Sequence, residues 1–271
     1  MKLRPTLLVA LLLAAPAAAR ADDLSDYAFD QRPGAAVPAG ADFTEADGRR
    51  IGFGELYGKR PIILALGYFS CPTLCSVVRD DLLEALSHTG LRAGADYDLA
   101  SVSIDPAETP ADAAKAEADD AARYPAAAGA PVAAGGGTTP LPPGWHFLTG
   151  DGASVAAVAA AVGFRSRYDA HLKQFLHPAG IVVLTPEGRV SGYVLGVGYH
   201  AGDLRTAVTV ASTGGIARAA LPLLLLCFHF DAETGRYSLS VMKVLRAAGV
   251  VTVLAIAGTM LLAFRRERVK T

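Results

Sequence analysis

An apolar run that leads directly into two cysteines is the feature that most constrains this fold. Residues 62–69 form a continuous hydrophobic segment of strand length, which is typical of a strand buried on both faces. Residues 75–87 follow, with apolar side chains at helical spacing, and predict a helix. Cys71 and Cys75 therefore lie where a buried strand passes into a helix. Two thiols at such a place can bind a soft metal ion together or close into a disulfide.

The order of the remaining elements predicts an α/β fold. Strands and helices alternate three times, and a hairpin and a last helix follow. After the first pair we predict a strand at 98–105, a helix from Pro110, a strand at 145–148, a helix at 154–162, hairpin strands at 180–184 and 189–195, and a helix at 203–211. This order is typical of a mixed sheet flanked by helices. Cysteines after the first core strand, together with Pro178 just before the hairpin, favour a thioredoxin-like version of that fold.

Both ends of the chain predict export and membrane attachment. A basic start, an apolar run too short to span a bilayer comfortably and a small-x-small site before residue 22 predict a signal peptide over residues 1–21. Residues 241–264 are apolar and long enough for a transmembrane anchor. The basic residues of 265–271 should keep the tail in the cytoplasm. We therefore expect a single-pass protein of a cytoplasmic membrane whose main domain lies on the periplasmic, outer side.

The middle of the chain is long enough for one domain. We predict an extended lead-in at 22–41, the domain itself at 42–213 and a membrane-proximal segment at 214–240. Residues 124–144 are rich in Ala, Gly and Pro without a charged residue, which predicts a flexible surface insertion. The 25 basic and 26 acidic residues nearly cancel, so the chain has no basic field for nucleic acid. Its three cysteines are too few for a disulfide scaffold, which favours a functional pair.

The spacing of Cys71 and Cys75 suits a metal ion. Residues four apart on a helix share one face, so both sulfur atoms can point at one spot. The helix N-terminus stabilises thiolate, the form that binds metal or attacks a disulfide. Thiolates favour Cu(I), and an imidazole can complete such a site. The three intervening residues make a wider loop than the two of ordinary disulfide oxidoreductases, which suits a bound metal without forbidding a disulfide.

Three sequence elements, in order, resemble the Sco/SenC family of copper-handling proteins. The segment Tyr68-Phe-Ser-Cys-Pro-Thr-Leu-Cys75 is similar to the family's Tyr/Phe-x-x-Cys-Pro-x-x-Cys element. Residues 101–110 are similar to its strand end and Thr-Pro helix start, and residues 176–189 to the single histidine before its late hairpin. The resemblance covers residues 36–211 and implies the thioredoxin-like fold.

The resemblance also implies the ligands and the function. One copper ion, as Cu(I) or Cu(II), would be bound by Cys71, Cys75 and His177. Without the resemblance, a lone histidine before a strand is more often an ordinary loop residue than a metal ligand. The chain would be a membrane-anchored copper chaperone that supports assembly of the binuclear copper centre of cytochrome c oxidase. Its partner would be the copper-centre subunit of a respiratory cytochrome oxidase, on the outer face of a bacterial cytoplasmic membrane.

The chain departs from the family pattern around the ligands. Leu176 stands where the family usually has aspartate, Pro178 where a small hydroxyl residue is common, and Ser76 where proline often follows the second cysteine. Such neighbours tune ligand orientation and redox potential. The anchor is also predicted at the C-terminus, whereas familiar members are tethered at the N-terminus.

Two other classes of function remain open on the residues alone. A thiol–disulfide oxidoreductase acting on exported client cysteines would use Cys71 and Cys75 as its catalytic redox pair, without copper and without His177. A purely structural assembly factor would tolerate the loss of both thiols. A peroxidase is disfavoured because Tyr68 stands where the peroxiredoxin pattern has threonine.

Four further residues carry weaker expectations. His171, in a polar run, is either an alternative ligand or a surface residue, and the polarity favours the surface. Cys227 either packs as a small apolar residue or ligates metal with a nearby histidine. Asp105 and Glu108 lie near a strand end, where the sequence shows nothing that pairs them for acid–base work.

Overall fold

A seven-stranded mixed sheet forms the centre of the computed structural model, which describes residues 28–70, 74–125, 127, 143–218, 230–231, 236–237, 249–254 and 256–258. The strands are β1 (Asp42–Glu45), β2 (Arg50–Gly52), β3 (Ile62–Gly67), β4 (Asp98–Ser103), β5 (Trp145–Gly150), β6 (Arg167–Asp169), β7 (Gln174–Leu176), β8 (Gly180–Leu184), β9 (Val190–Leu195), β10 (Phe230–Asp231) and β11 (Arg236–Tyr237). The order in the large sheet is β2-β1-β5-β4-β3-β8-β9, and β6–β7 and β10–β11 form two small sheets. Strands β3, β4 and β5 are parallel, and the other neighbours are antiparallel.

Helices cover both faces of the sheet. The α-helices are α1 (Leu74–Ser87), α2 (Pro110–Arg123), α3 (Gly152–Ala161) and α4 (Ala201–Ser212), and a 3-10 turn spans Phe53–Leu56. Successive side chains of a strand point to opposite faces. Ile63 of β3 accordingly packs in a cluster with α1, α2 and α4, whereas Leu64 packs in the cluster that contains α3. The first five residues of β3 are all buried, which explains why its sequence is a continuous apolar run.

Local signals in the sequence account for the helix starts. The Thr109 side chain accepts a hydrogen bond from the Asp112 amide, and the Asp112 carboxylate accepts one from the Thr109 amide. Pro110 occupies the first turn, where its missing N–H costs nothing. Asp151 caps α3 by accepting a hydrogen bond from the Ser154 amide at 2.7 Å. Helix α2 therefore begins at Pro110, as predicted. The predicted strands and helices also follow one another in the predicted order.

Several predicted segments lie wholly or mostly outside the described residues. These are the signal peptide (1–21), the cytoplasmic tail (265–271), most of the insertion and Cys227. The insertion begins against the core, because Ala127 is fully buried. Within the predicted anchor, 249–254 and 256–258 are helical. Among the residues that the structure describes, no helix is long and apolar enough to cross a membrane.

Candidate functional site

The sheet brings the predicted ligands to one edge. Parallel strands β3, β4 and β5 end at the same edge, and the β3–α1 loop that carries Cys71 starts there. Strand β8 runs antiparallel to β3, with Leu64 opposite Val182 and Ile62 opposite Leu184. The start of β8 therefore lies at this edge too, and His177 comes three residues before it.

His177 is buried among aromatic rings. It is 6% exposed, and its ring centroid lies 5.8 Å from that of Phe164 and 6.3 Å from that of Tyr68. Its Nδ1 lies 3.0 Å from the carbonyl oxygen of Pro178. A ring protonated at Nδ1 donates to this carbonyl and carries its lone pair on Nε2, which is the form that ligates a metal. The peptide bond to Pro178 is trans.

A small cleft joins His177 to the cysteine loop. Tyr68 and Phe69 line it from the loop, Val78 and Arg79 from α1, and His177 from the segment before β8. Apolar walls of this kind exclude water from a ligand atom at their centre. The cleft is therefore where a metal held by His177 and by groups of the β3–α1 loop would lie.

The two cysteines flank this cleft in the sequence. Cys71 directly follows Ser70 and lies outside the described residues, and the structure describes Cys75 through its backbone alone, in the first turn of α1. Arg79 comes four residues after Cys75 and therefore shares its face of the helix. Among the described side chains, no three of the types His, Cys, Asp and Glu are grouped as a metal site. The set Cys71, Cys75 and His177 thus stays a prediction, supported by the position of its histidine.

Glu108 holds the backbone that precedes Cys71. Its Oε2 accepts a hydrogen bond from the Phe69 amide at 2.8 Å, and its Oε1 accepts two from Ser70, from the amide and the hydroxyl, each at 2.6 Å. The Ser103 hydroxyl donates to Oε2 at 2.6 Å. The sequence analysis found no partner for Glu108 because these donors come from other strand ends. The predicted strand–helix–strand order of β3, α1 and β4, which is typical of parallel neighbours, was the signal that could have placed them together.

Arg79 brings a positive charge to the cleft. Its guanidinium forms an ion pair with Asp120 of α2, whose side chain is 1% exposed. Burial raises the pKa of Asp120, and Arg79 opposes that shift. Asp120 Oδ1 has no hydrogen-bond partner among the described residues. Because this partner lies buried beside it, the positive charge of Arg79 at the cleft is balanced by Asp120.

The small β6–β7 sheet leads into His177. Its last residue is Leu176, and its rings pack in series towards the cleft: the Tyr168 ring lies 5.1 Å from Phe175, and Phe175 lies 5.8 Å from Tyr68. This sheet falls in a polar run for which no strand was predicted. His171 lies in its turn and is exposed, as the polar run indicates.

A central sheet covered by helices, with one cysteine between β3 and α1 and the other in the first turn of α1, is the thioredoxin-like arrangement that the sequence predicts. No protein-family model matches this chain, and no curated protein sequence is significantly similar to it. Solved structures do match. A putative electron transfer protein from Aquifex aeolicus is 24% identical, and the match covers 67% of this chain and 95% of that one with a TM-score of 0.54.

Two further solved structures are similar. A putative electron transport protein from Aquifex aeolicus is 23% identical, with 67% of this chain and 99% of that one covered and a TM-score of 0.51. The copper-bound ScoI of Arabidopsis thaliana is 17% identical, with 68% and 98% covered and a TM-score of 0.49. The likeness to the two Aquifex proteins shows the fold, and the predicted thioredoxin-like α/β sheet is thereby confirmed.

Proposed function

We propose that this protein is a copper chaperone that binds one copper ion through Cys71, Cys75 and His177. One observation carries the proposal: the buried imidazole of His177 lines the same cleft as Tyr68 and Phe69, which come just before Cys71. Thiolate sulfur and imidazole nitrogen together form a donor set that suits copper. The resemblance of three sequence elements to the Sco/SenC family supports the same three ligands.

The surroundings of the site suit a cargo that is held and then passed on. The rings of Tyr68 and Phe164 keep water from the imidazole, and the N-terminal turn of α1, in which Cys75 lies, favours the thiolate form. Copper would leave by ligand exchange, in which thiolates of the client replace those of Cys71 and Cys75. The client would be the copper-centre subunit of a respiratory cytochrome oxidase, and the function would be assembly of its binuclear copper centre.

The proposed placement follows from the ends of the chain. A signal peptide at residues 1–21 would direct export, and an anchor at 241–264 would hold the domain at the outer face of the cytoplasmic membrane. Between these ends, the extended lead-in would span residues 22–41, the domain 42–213 and the membrane-proximal segment 214–240.

The test is an anaerobic Cu(I) titration of the full chain, reduced and in detergent, against a Cu(I)-specific chelator. We expect one tightly bound copper per chain, with the dissociation constant raised about tenfold or more in His177→Ala. The matched control is His171→Ala, because His171 is exposed and lies nearby in the sequence. No tight copper, or binding indifferent to His177, would contradict the proposal. That result would favour the thiol–disulfide oxidoreductase, in which Cys71 and Cys75 become oxidised while a client disulfide is reduced.

A further inference from the structure

We propose that Glu108 is a positioning residue of the copper site, which fixes the β3–α1 loop so that Cys71 is presented at the cleft. The proposal concerns a residue outside the three ligands, and its copper measurements rest on the proposed function. Glu108 is not among the described residues that line the cleft; it acts through the two residues that precede Cys71 in the chain.

The contacts of Glu108 form a clamp between two strand ends. One carboxylate oxygen accepts from the amide and hydroxyl of Ser70, and the other accepts from the amide of Phe69 and the hydroxyl of Ser103. Both residues of the loop are thus held by their backbones, so the clamp fixes the direction in which the chain enters Cys71. A side chain that bonded Ser70 through its hydroxyl alone would leave this backbone free to rotate.

The turn that carries Glu108 is itself tied down. The Ile104 amide donates to the carbonyl oxygen of Gly67 at 2.7 Å, which extends the pairing of β3 and β4 beyond their last residues. The Asp105 carboxylate accepts from the Ala107 amide at 2.9 Å, and the Asp105 amide donates to the Ser103 hydroxyl at 3.1 Å. Because this turn is anchored to the sheet, it can hold the loop in a defined place.

The chemistry of the clamp requires a carboxylate. All four contacts come from donors, and an ionised carboxylate is a group with acceptors only. Glutamine has nearly the same shape, but its NH₂ group would face donors in place of one acceptor oxygen. Whichever oxygen is replaced, the NH₂ group faces one backbone amide, donor against donor, whereas the serine hydroxyl bonded to the same atom can turn and accept. Replacing Glu108 with Gln therefore opposes one of the two amide contacts while leaving the size of the side chain almost unchanged.

The clamp matters because an ordered loop binds metal more tightly than a loose one. Fixing the backbone of a residue has an entropic cost that corresponds to about tenfold in an equilibrium constant. When the copper-free protein already holds this backbone in place, copper binding does not include that entropic cost. Release of the backbone at Phe69 and Ser70 should therefore weaken copper binding by about 10- to 100-fold.

The experiment compares three variants of the full chain with the wild type. Glu108→Gln breaks one of the two amide contacts of the clamp, and Ser70→Ala removes its hydroxyl contact but keeps the amide contacts of Phe69 and Ser70. Glu84→Gln is the matched control, because Glu84 is exposed and pairs only with His88 on the surface of α1. Two readouts are taken: amide hydrogen exchange at Phe69 and Ser70 in the copper-free protein, and the Cu(I) dissociation constant by chelator competition. Far-UV circular dichroism verifies that each variant is folded.

We expect faster exchange at one of the two amides in Glu108→Gln, together with a copper dissociation constant raised by about tenfold. Ser70→Ala should raise this constant by less than about threefold, since the backbone contacts remain. A residue that supported only global stability would change the unfolding midpoint without changing the copper affinity of the folded protein. Unchanged exchange in Glu108→Gln, or faster exchange with unchanged copper affinity, would overturn the proposal. A wild type without tight copper would remove the proposed function and with it this role of Glu108, while the exchange rates would still report on the clamp itself.

Discussion

Glu117 should make this protein less stable as the pH rises through neutrality. It lies in α2, is 5% exposed, and carries a carboxyl group whose pKa is raised to about 7. Burial is the main cause, and the negative charge of Glu45 on β1 adds to it. His146 on β5 lowers the pKa, whereas Asp47 and Asp120 raise it further. Glu45 is itself paired with Arg49 at 3.0 Å and with His146 at 2.9 Å.

The sign and size follow from the two states of the chain. In the unfolded chain the pKa of Glu117 returns to 4.5, so the folded protein holds the proton more tightly. The resulting stability is fully present below pH 4.5 and is lost as the pH rises through about 7. The full shift corresponds to about 3 kcal/mol. Relaxation of the fold and entry of water around the ionised carboxylate reduce the expected loss to about 1–2 kcal/mol.

Urea unfolding of the wild type and of Glu117→Gln at pH 5 and pH 8 measures this loss. Glutamine stays neutral at both values, so the variant should lose about 1–2 kcal/mol less than the wild type between them. Glu187→Gln serves as the control, because Glu187 is exposed and should leave the difference unchanged. Equal losses of unfolding free energy in the wild type and in Glu117→Gln would refute the reasoning.

Two further substitutions test how the site is supported. Asp120→Asn leaves the guanidinium of Arg79 without its buried partner and should lower the free energy of unfolding by about 3–5 kcal/mol in urea titration; a loss below about 1 kcal/mol would show that this pair stabilises little. Gly163→Ala should lower the thermal midpoint, because Gly163 has φ +66° and an added Cβ would overlap the carbonyl oxygen of Asp30. The free energy of unfolding should fall by about 2 kcal/mol or more. An unchanged midpoint would mean that residues 28–30 move aside freely.

Residue patterns predicted the strands and helices whose formation depends on residues close together in the sequence. The buried strand β3 follows from its continuous apolar run, and the start of α2 from Thr109, Pro110 and Asp112. The β6–β7 sheet was missed because its strands are short and partly exposed. Its turn depends on Asp169, which accepts hydrogen bonds from the amides of His171 and Leu172. Nothing in the apolar periodicity signals such a turn.

The residues of the candidate site likewise fall into those that the sequence indicated and those that it did not. The sequence indicated His177, and the antiparallel pairing of β8 with β3 brings it to the edge where the cysteine loop begins. Glu108 and Asp120 were not predicted because their partners lie far away in the chain, on the β3–α1 loop and on α1. Their roles depend on which elements are neighbours in space, and a single sequence carries that information only through its fold.

The start of β9 is bonded by one segment from each side of the domain in the sequence. Residues 34–37 bond to it from the N-terminal side, through Gly34 and Val190, and residues 215–217 from the C-terminal side, through Ala217 and Ser191. The other end of β9 pairs with Gly180 beside His177, roughly 17 Å away along the strand. Residues 28–30 come before the first of these segments and lie elsewhere, because Phe29 packs against Phe164, whose ring lies beside His177. A tether on the N-terminal side would therefore pull on the chain beside the cleft, whereas a tether beyond Ala217 would pull on the far end of β9.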